Sequence, residues 1–238
     1  MLALIYLLGG LVVGTCGFGA GLLCVSLASF LLPVQSAVVL TGLATSWLPF
    51  ALLWTLRRHA VWTDSLPLLV GFVVGAPLGL LVMKVAQPGL LQGVLGVGLA
   101  AAIGVELGLG GRLPATRGTG LLAGGFGGIL GVAASAGGPP AVVWIEAGRQ
   151  ERRRRVATLQ VYMGFAALLQ FASWGNAGYV DRATATAALG LAPVVGLGLW
   201  LGKQVFNRMD EAAFRKAVVA VLAVMAVKNL WAARVLFA

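Results

Sequence analysis

No Asp, Glu, Lys or Arg occurs before Arg57, and long charge-free runs recur after it: Leu66–Met83, Val85–Val105, Gly118–Ile145, Val156–Val180 and Ala183–Gly202. A bilayer core needs about 20 apolar residues per helix. The opening run is long enough for two such helices, with Pro33 at the turn between them. Hydrophobic residues make up 60% of the chain and charged residues 10%, where a soluble domain carries about 25% charged residues. So few charges cannot cover a water-facing surface, and an all-α, polytopic membrane protein follows. Met1–Phe30 lacks the basic start of a secretion signal and its apolar stretch simply continues, so it reads as a span. The net charge of +10 would suggest nucleic acid in a soluble protein, but here the basic residues sit between apolar runs, where their role is topological.

The runs predict about eight transmembrane helices, near 2–30, 34–56, 66–84, 89–107, 118–146, 155–176, 184–203 and 212–233. Pro33 and Pro88 mark helix starts, and Gly110-Gly111 with Pro114 mark a central loop. Gly10-Leu-Val-Val-Gly14-Thr-Cys-Gly17 recurs as Gly120-Leu-Leu-Ala-Gly124-Gly-Phe-Gly127, and Gly79-Leu-Leu-Val-Met-Lys84 is echoed by Gly198-Leu-Trp-Leu-Gly-Lys203. The chain therefore reads as two four-helix repeats, 1–110 and 111–238, each with a broken first helix. An even number of spans per unit makes them parallel repeats. Alternate loops then set Lys84, Arg149, Arg152 to Arg155, Lys203, Arg208, Arg215 and Lys216 against Arg57, Arg58, Arg112, Arg117, Arg182 and Arg234. The positive-inside rule puts the first set in the cytoplasm and both ends of this sequence outside. Cys16 and Cys24, eight positions apart, would stand roughly 12 Å apart on a helix, beyond disulfide reach.

Glycine crowds the first and fifth spans. Close helix packing accounts for part of this, but not for Gly137-Gly138-Pro139-Pro140 in mid-span. Two prolines remove two backbone donors, so a helix that stops at Gly-Gly and restarts with proline in its first turn fits better. Such a break is tolerated at membrane depth only inside protein or beside a wet cavity. The restarted half-helix aims a positive dipole end into that cavity, which is an anion site. The candidate lining is Gly17, Gly19 and Gly21 from the first span and Ser135, Gly137, Gly138 and Pro139 from the fifth. Thr41, Thr158 and Gln160 join them as the in-span polar residues most suited to face a substrate, and Arg155 as the cation attracting or gating an anion. Thr45, Ser46 and Gln170 are also polar within spans. Lys84 and Lys203 read as snorkelling span ends.

No Asp or Glu falls well inside a span; Glu106 and Glu146 lie at span ends. Cation pumps and proton relays place carboxylates in the membrane interior, so neutral dipoles holding an anion are favoured. The single histidine, His59, has no carboxylate cluster beside it, which argues against an enzyme, a metal site or a cofactor. An anion channel, or a non-transporting subunit of a larger complex, remains the alternative to a carrier.

The paired glycine-rich spans, the Gly-Gly-Pro-Pro break followed by Arg152–Leu159, and Gly196-Leu-Gly-Leu-Trp-Leu-Gly-Lys203 resemble the sulfite exporter TauE/SafE family. So does Val34–Trp62, with Gln35-Ser36-Ala37, Leu40-Thr41 and Arg57-Arg58. The resemblance covers essentially the whole chain. It implies an eight-span inner-membrane transporter of a small sulfur-containing or organic anion, such as sulfite, sulfoacetate or a related carboxylate. Its partners would be that anion, membrane lipid and, if it self-associates, further copies in a homo-oligomer.

Overall fold

The computed structural model describes residues 1–16, 19–85, 87–106, 114–148, 151–206, 223, 226, 227 and 229–231. Their chain order is α1 (Leu2–Cys16), α2 (Ala20–Ala28), α3 (Val34–Thr45), α4 (Leu48–Leu56), a 3-10 turn at Arg57–His59, α5 (Trp62–Val85), α6 (Pro88–Glu106), α7 (Arg117–Ala134), α8 (Gly138–Ala147), α9 (Arg152–Asn176) and α10 (Arg182–Phe206). No strand occurs among the described residues. By length and composition, Val34–His59, Trp62–Val85, Arg153–Asn176 and Arg182–Gln204 can each cross a bilayer. The outer faces are apolar: Val74 and Leu78 on α5, Leu122 and Phe126 on α7, and Leu189 and Trp200 on α10 are exposed. So much exposed apolar surface suits a lipid solvent.

The segments 2–30 and 118–146, expected as single traverses, each double back. Cys24 on α2 lies beside Gly9 and donates its thiol to the Ile5 carbonyl, while Ala20 also lies beside Gly9. Positions rising along α2 thus meet positions falling along α1. In the second case Gly137 approaches Gly127, and Trp144 approaches Gly120. The Trp144 indole N–H then donates to the Thr116 carbonyl at 3.0 Å, pinning the far end of α8 to the start of α7. A run of apolar residues has the same composition whether it crosses once or folds on itself. The difference lies in the break, which frees the chain to reverse where a continuous helix could not.

Helices α5 and α7 lie side by side and run the same way: Gly71 meets Leu121, Gly75 meets Gly125 and Gly79 meets Ile129. Helices α1 and α10 do likewise, Gly10 meeting Val195 and Gly14 meeting Leu199. A Cβ on Gly75 would collide with the Gly125 carbonyl oxygen, and one on Gly10 with that of Val195. In lipid, association rests on packing of this close backbone kind, since apolar side chains gain little by leaving one oil for another.

The core forms two clusters. One gathers Leu22, Phe72, Leu95, Tyr162 and Trp174, with Phe72 and Tyr162 edge to face at 5.8 Å. The other gathers Tyr6, Cys24, Leu48 and Val195. Cys24 is a buried free thiol; it is unpaired as expected, but the break between α1 and α2 removes the single-helix spacing from which that was argued.

Candidate functional site

Helix α7 ends where Ser135 takes a left-handed conformation (φ 52°, ψ 31°). This costs a residue with a Cβ about 1–2 kcal/mol. Two sets of bonds hold it there. The Ser135 N–H bonds to the Gly131 carbonyl at 2.8 Å and that of Ala136 to Leu130 at 3.1 Å, capping the helix end. The Ser135 hydroxyl donates to the Val38 carbonyl of α3 at 3.0 Å. Helix α8 then restarts at Gly138, and Pro139 and Pro140 bring no N–H. Gly138 is therefore the orphan donor of its first turn. The Gly137 carbonyl accepts the Tyr162 hydroxyl at 3.2 Å, so both arms of the break are tied to neighbouring helices.

Helix α2 begins in the same neighbourhood. Its N-cap, Gly19, has φ 98° and ψ −9°, a backbone that side-chain-bearing residues rarely adopt. The first i→i−4 bond there joins the Leu23 N–H to the Gly19 carbonyl at 3.1 Å. The N–H groups of Ala20, Gly21 and Leu22 are thus left without partners inside the helix. The two breaks touch: a Cβ on Gly21 would collide with the Ser135 carbonyl oxygen.

A cavity of about 110 Å³ opens at this meeting point. It is lined by Gly19–Leu22, by Ser135–Pro139, by the α3–α4 junction including Gly42, Thr45 and Ser46, and by Gln160, Met163 and Gln170 of α9. Among the described residues, no Lys, Arg, His, Asp or Glu lines it. A water needs about 10–15 Å³ of such space, so the cavity suits a few waters or a small ion rather than a nucleotide-sized ligand.

The sequence candidates divide accordingly. Gly19, Gly21, Ser135, Gly137, Gly138, Pro139 and Gln160 come together around the cavity. Gly17 lies outside the described residues. Thr41 is buried away from the cavity, where its hydroxyl shares a 2.9 Å hydrogen bond with that of Tyr6. Thr158 is also buried elsewhere: its carbonyl accepts the Ser65 hydroxyl at 3.0 Å, and its own hydroxyl has no hydrogen-bond partner among the described residues. Arg155 is half-buried at the start of α9 and does not line the cavity.

Most hydroxyl protons at the wall are already committed. Thr45 donates to the Thr41 carbonyl at 2.8 Å and Ser46 to that of Leu43 at 2.9 Å. Ser135 is committed to Val38, so it shapes the wall rather than offering its proton. Gln170 differs, since nothing among the described residues hydrogen-bonds its amide. The sequence marks Gln170 only as polar within a span. Its ten-residue separation from Gln160 gives about 1000° of helical rotation at 100° per residue, leaving the two within about 80° on one face of α9. That signal was present.

A helical, lipid-faced body enclosing a charge-free cavity between broken helices is the build of an integral membrane transporter. The chain belongs to the sulfite exporter TauE/SafE family, whose model matches residues 2–229. No curated protein and no solved structure matches it significantly. The family is one of transporters rather than enzymes. No group of three or more His, Cys, Asp or Glu suited to a metal occurs among the described residues.

Proposed function

We propose that the protein moves a small anion, sulfite or a related sulfur-containing or organic anion, across the inner membrane, bound in the cavity between the two breaks. The convergence of two half-helix N-termini on one uncharged cavity carries this reading. Helix N-termini concentrate positive potential and unpaired N–H groups, and a site without a fixed cation can release an anion as well as hold it. Gly138, Ala20 and Gly21 would offer backbone N–H groups, Gln160 and Gln170 their amides, and Ser135 the turn that presents Gly137 and Gly138. Arg155, set back from the cavity, would attract the anion towards the mouth of α9. Thr41 and Thr158 would act by fixing α3 and α9, not by contact.

The two breaks also support reading the chain as two related halves. Helix α2 begins at Ala20 and α8 at Gly138, while α3 begins at Val34 and α9 at Arg152. One common shift relates both pairs of starts, where the glycine motifs alone suggested two different shifts.

Reconstitution in liposomes with labelled sulfite tests the transport reading. Saturable flux with counterflow is the expected result, competed by small oxyanions and not by larger anions. Flux that rises linearly without saturation would overturn carrier action. A folded protein that neither binds nor passes sulfite, sulfoacetate or related small anions would overturn the function.

A further inference from the structure

We infer that the two hairpins, α1–α2 and α7–α8, enter the membrane from opposite faces, and that the face gathering the basic residues is the cytoplasmic one, seated on the anionic inner leaflet. This makes the halves inverted rather than parallel. It is independent of the anion reading, because it rests on which chain segments lie together.

Cross-helix bonds fix the ends. Arg154 at the start of α9 pairs with Asp64 at the start of α5 at 2.7 Å, and the Ser65 hydroxyl donates to the Thr158 carbonyl close by. The starts of α5 and α9 therefore share a face. The start of α7 joins them, because α7 runs parallel to α5 and Gly120 lies against Pro67. The end of α8 is there too, through the Trp144 bond to Thr116. At the other face, the Gln35 amide at the start of α3 donates to the Met83 carbonyl near the end of α5 at 2.8 Å. The start of α1 belongs with this second face, because α1 runs parallel to α10, which leaves the α9–α10 loop there. Two hairpins that return to their own side, each followed by crossings, then account for α1 to α10.

The charge distribution sharpens once the chain is traced this way. Arg57, Arg58, Arg117, the run Arg152–Arg155 and Lys203 all fall on the first face, while Lys84 and Arg182 fall on the second. Among the described residues, eight basic residues against two is a bias strong enough to set orientation, since Lys and Arg are retained on the cytoplasmic side. With each hairpin read as a single traverse, the same residues scatter over both faces. Arg57, Arg58 and Arg117 then oppose the arginine run. Exposed Trp54 and Trp62 flank Arg57 and Arg58, and the Arg57 guanidinium lies 4.4 Å from the Trp54 ring centre. This pairing of aromatic and basic side chains suits the headgroup layer.

The consequence for the cavity is geometric. Half-helix α2 runs from mid-membrane to one face and α8 from mid-membrane to the other, so their N-termini oppose each other at its centre. Inverted halves of this kind allow the site to open to either face by rocking one half against the other.

The test uses the full chain with Cys16→Ser and Cys24→Ala, and single cysteines at Phe30, Arg58, Glu151 and Asn176, all exposed positions. A membrane-impermeant thiol reagent is applied to intact cells and to permeabilised cells, after confirming that each variant reaches the membrane at the parent's level. Labelling at Phe30 and Asn176 in intact cells, and at Arg58 and Glu151 only after permeabilisation, is expected. Single traverses would instead put Arg58 outside and Phe30 inside. Arg58 and Glu151 on opposite faces would overturn the hairpins, and both outside would overturn the orientation. Neither result depends on whether sulfite is transported.

Discussion

Replacing Gly21 with alanine tests the meeting of the two breaks directly. The added methyl would overlap the Ser135 carbonyl oxygen and stand 3.3 Å from the Ser135 carbonyl carbon. Carbon and oxygen rest about 3.3–3.6 Å apart in close contacts, so the breaks must part by on the order of 1 Å. Overpacking of a filled interior costs about 1–3 kcal/mol, which the fold can absorb. A shift on the order of 1 Å in groups that act together costs roughly 100-fold in function. Gly21→Ala should therefore reach the membrane, unfold a few degrees earlier, and lose roughly 10- to 100-fold in sulfite affinity. The assay is sulfite-dependent thermal stabilisation of purified protein, read beside flux in liposomes. Gly175→Ala serves as the control, because nothing among the described residues lies within 4 Å of a Cβ at that position. A folded Gly21→Ala variant with parental sulfite affinity would refute the placement of the anion between the breaks.

Gln170→Leu removes an uncommitted amide from the cavity wall and should weaken sulfite binding by roughly 10-fold, the loss of one hydrogen bond to a charged group, with unfolding temperature nearly unchanged. Gly75→Val sets a branched side chain against the Gly125 backbone; it should destabilise by about 2 kcal/mol or more, measured as a fall in unfolding temperature and in detergent-extracted yield. Asp64→Asn breaks an ion pair whose arginine side chain is 45% exposed, so a stability loss below about 1 kcal/mol is expected. In the α9–α10 loop the Thr184 side chain and then its backbone N–H, the latter bonded to the Asp181 carboxylate at 2.7 Å, hold the Asp181 pKa below the usual range. Its contribution is full above the unfolded-state carboxylate pKa and is lost as pH falls through the lowered folded value. Asp181→Ala should remove that acid-side fall from a pH series of unfolding temperatures.

What the sequence revealed depended on how local the determining physics was. The break at Gly137–Pro140 was legible because glycine and proline restrict their own backbone wherever they occur. The membrane class was legible because charge-free runs have no soluble solution. The doubling back of 2–30 and 118–146 was not, since it is set by contacts such as Gly9 with Cys24 and Thr116 with Trp144, far apart along the chain. Thr41 and Thr158 stand out in the sequence as polar residues within apolar spans, yet which way a helix turns its hydroxyls depends on its packing partners. Tyr6 claims the first and α5 covers the second. Gln170 stayed in the background for the same reason, because its free amide follows from what α7 and α3 leave unfilled.

The glycine-lined pairing of α1 with α10 has a consequence for biosynthesis. Helix α5 is already in the membrane when α7 emerges, so Gly75 and Gly125 can meet soon after insertion. Gly10 must wait until Val195 has been made. Throughout that interval the first hairpin holds a bare backbone stripe towards lipid, open to any passing helix with small residues. Maturation of the protein should accordingly be gated by the arrival of α10, and lesions in α10 should act first on how long the nascent chain survives surveillance rather than on the cavity itself.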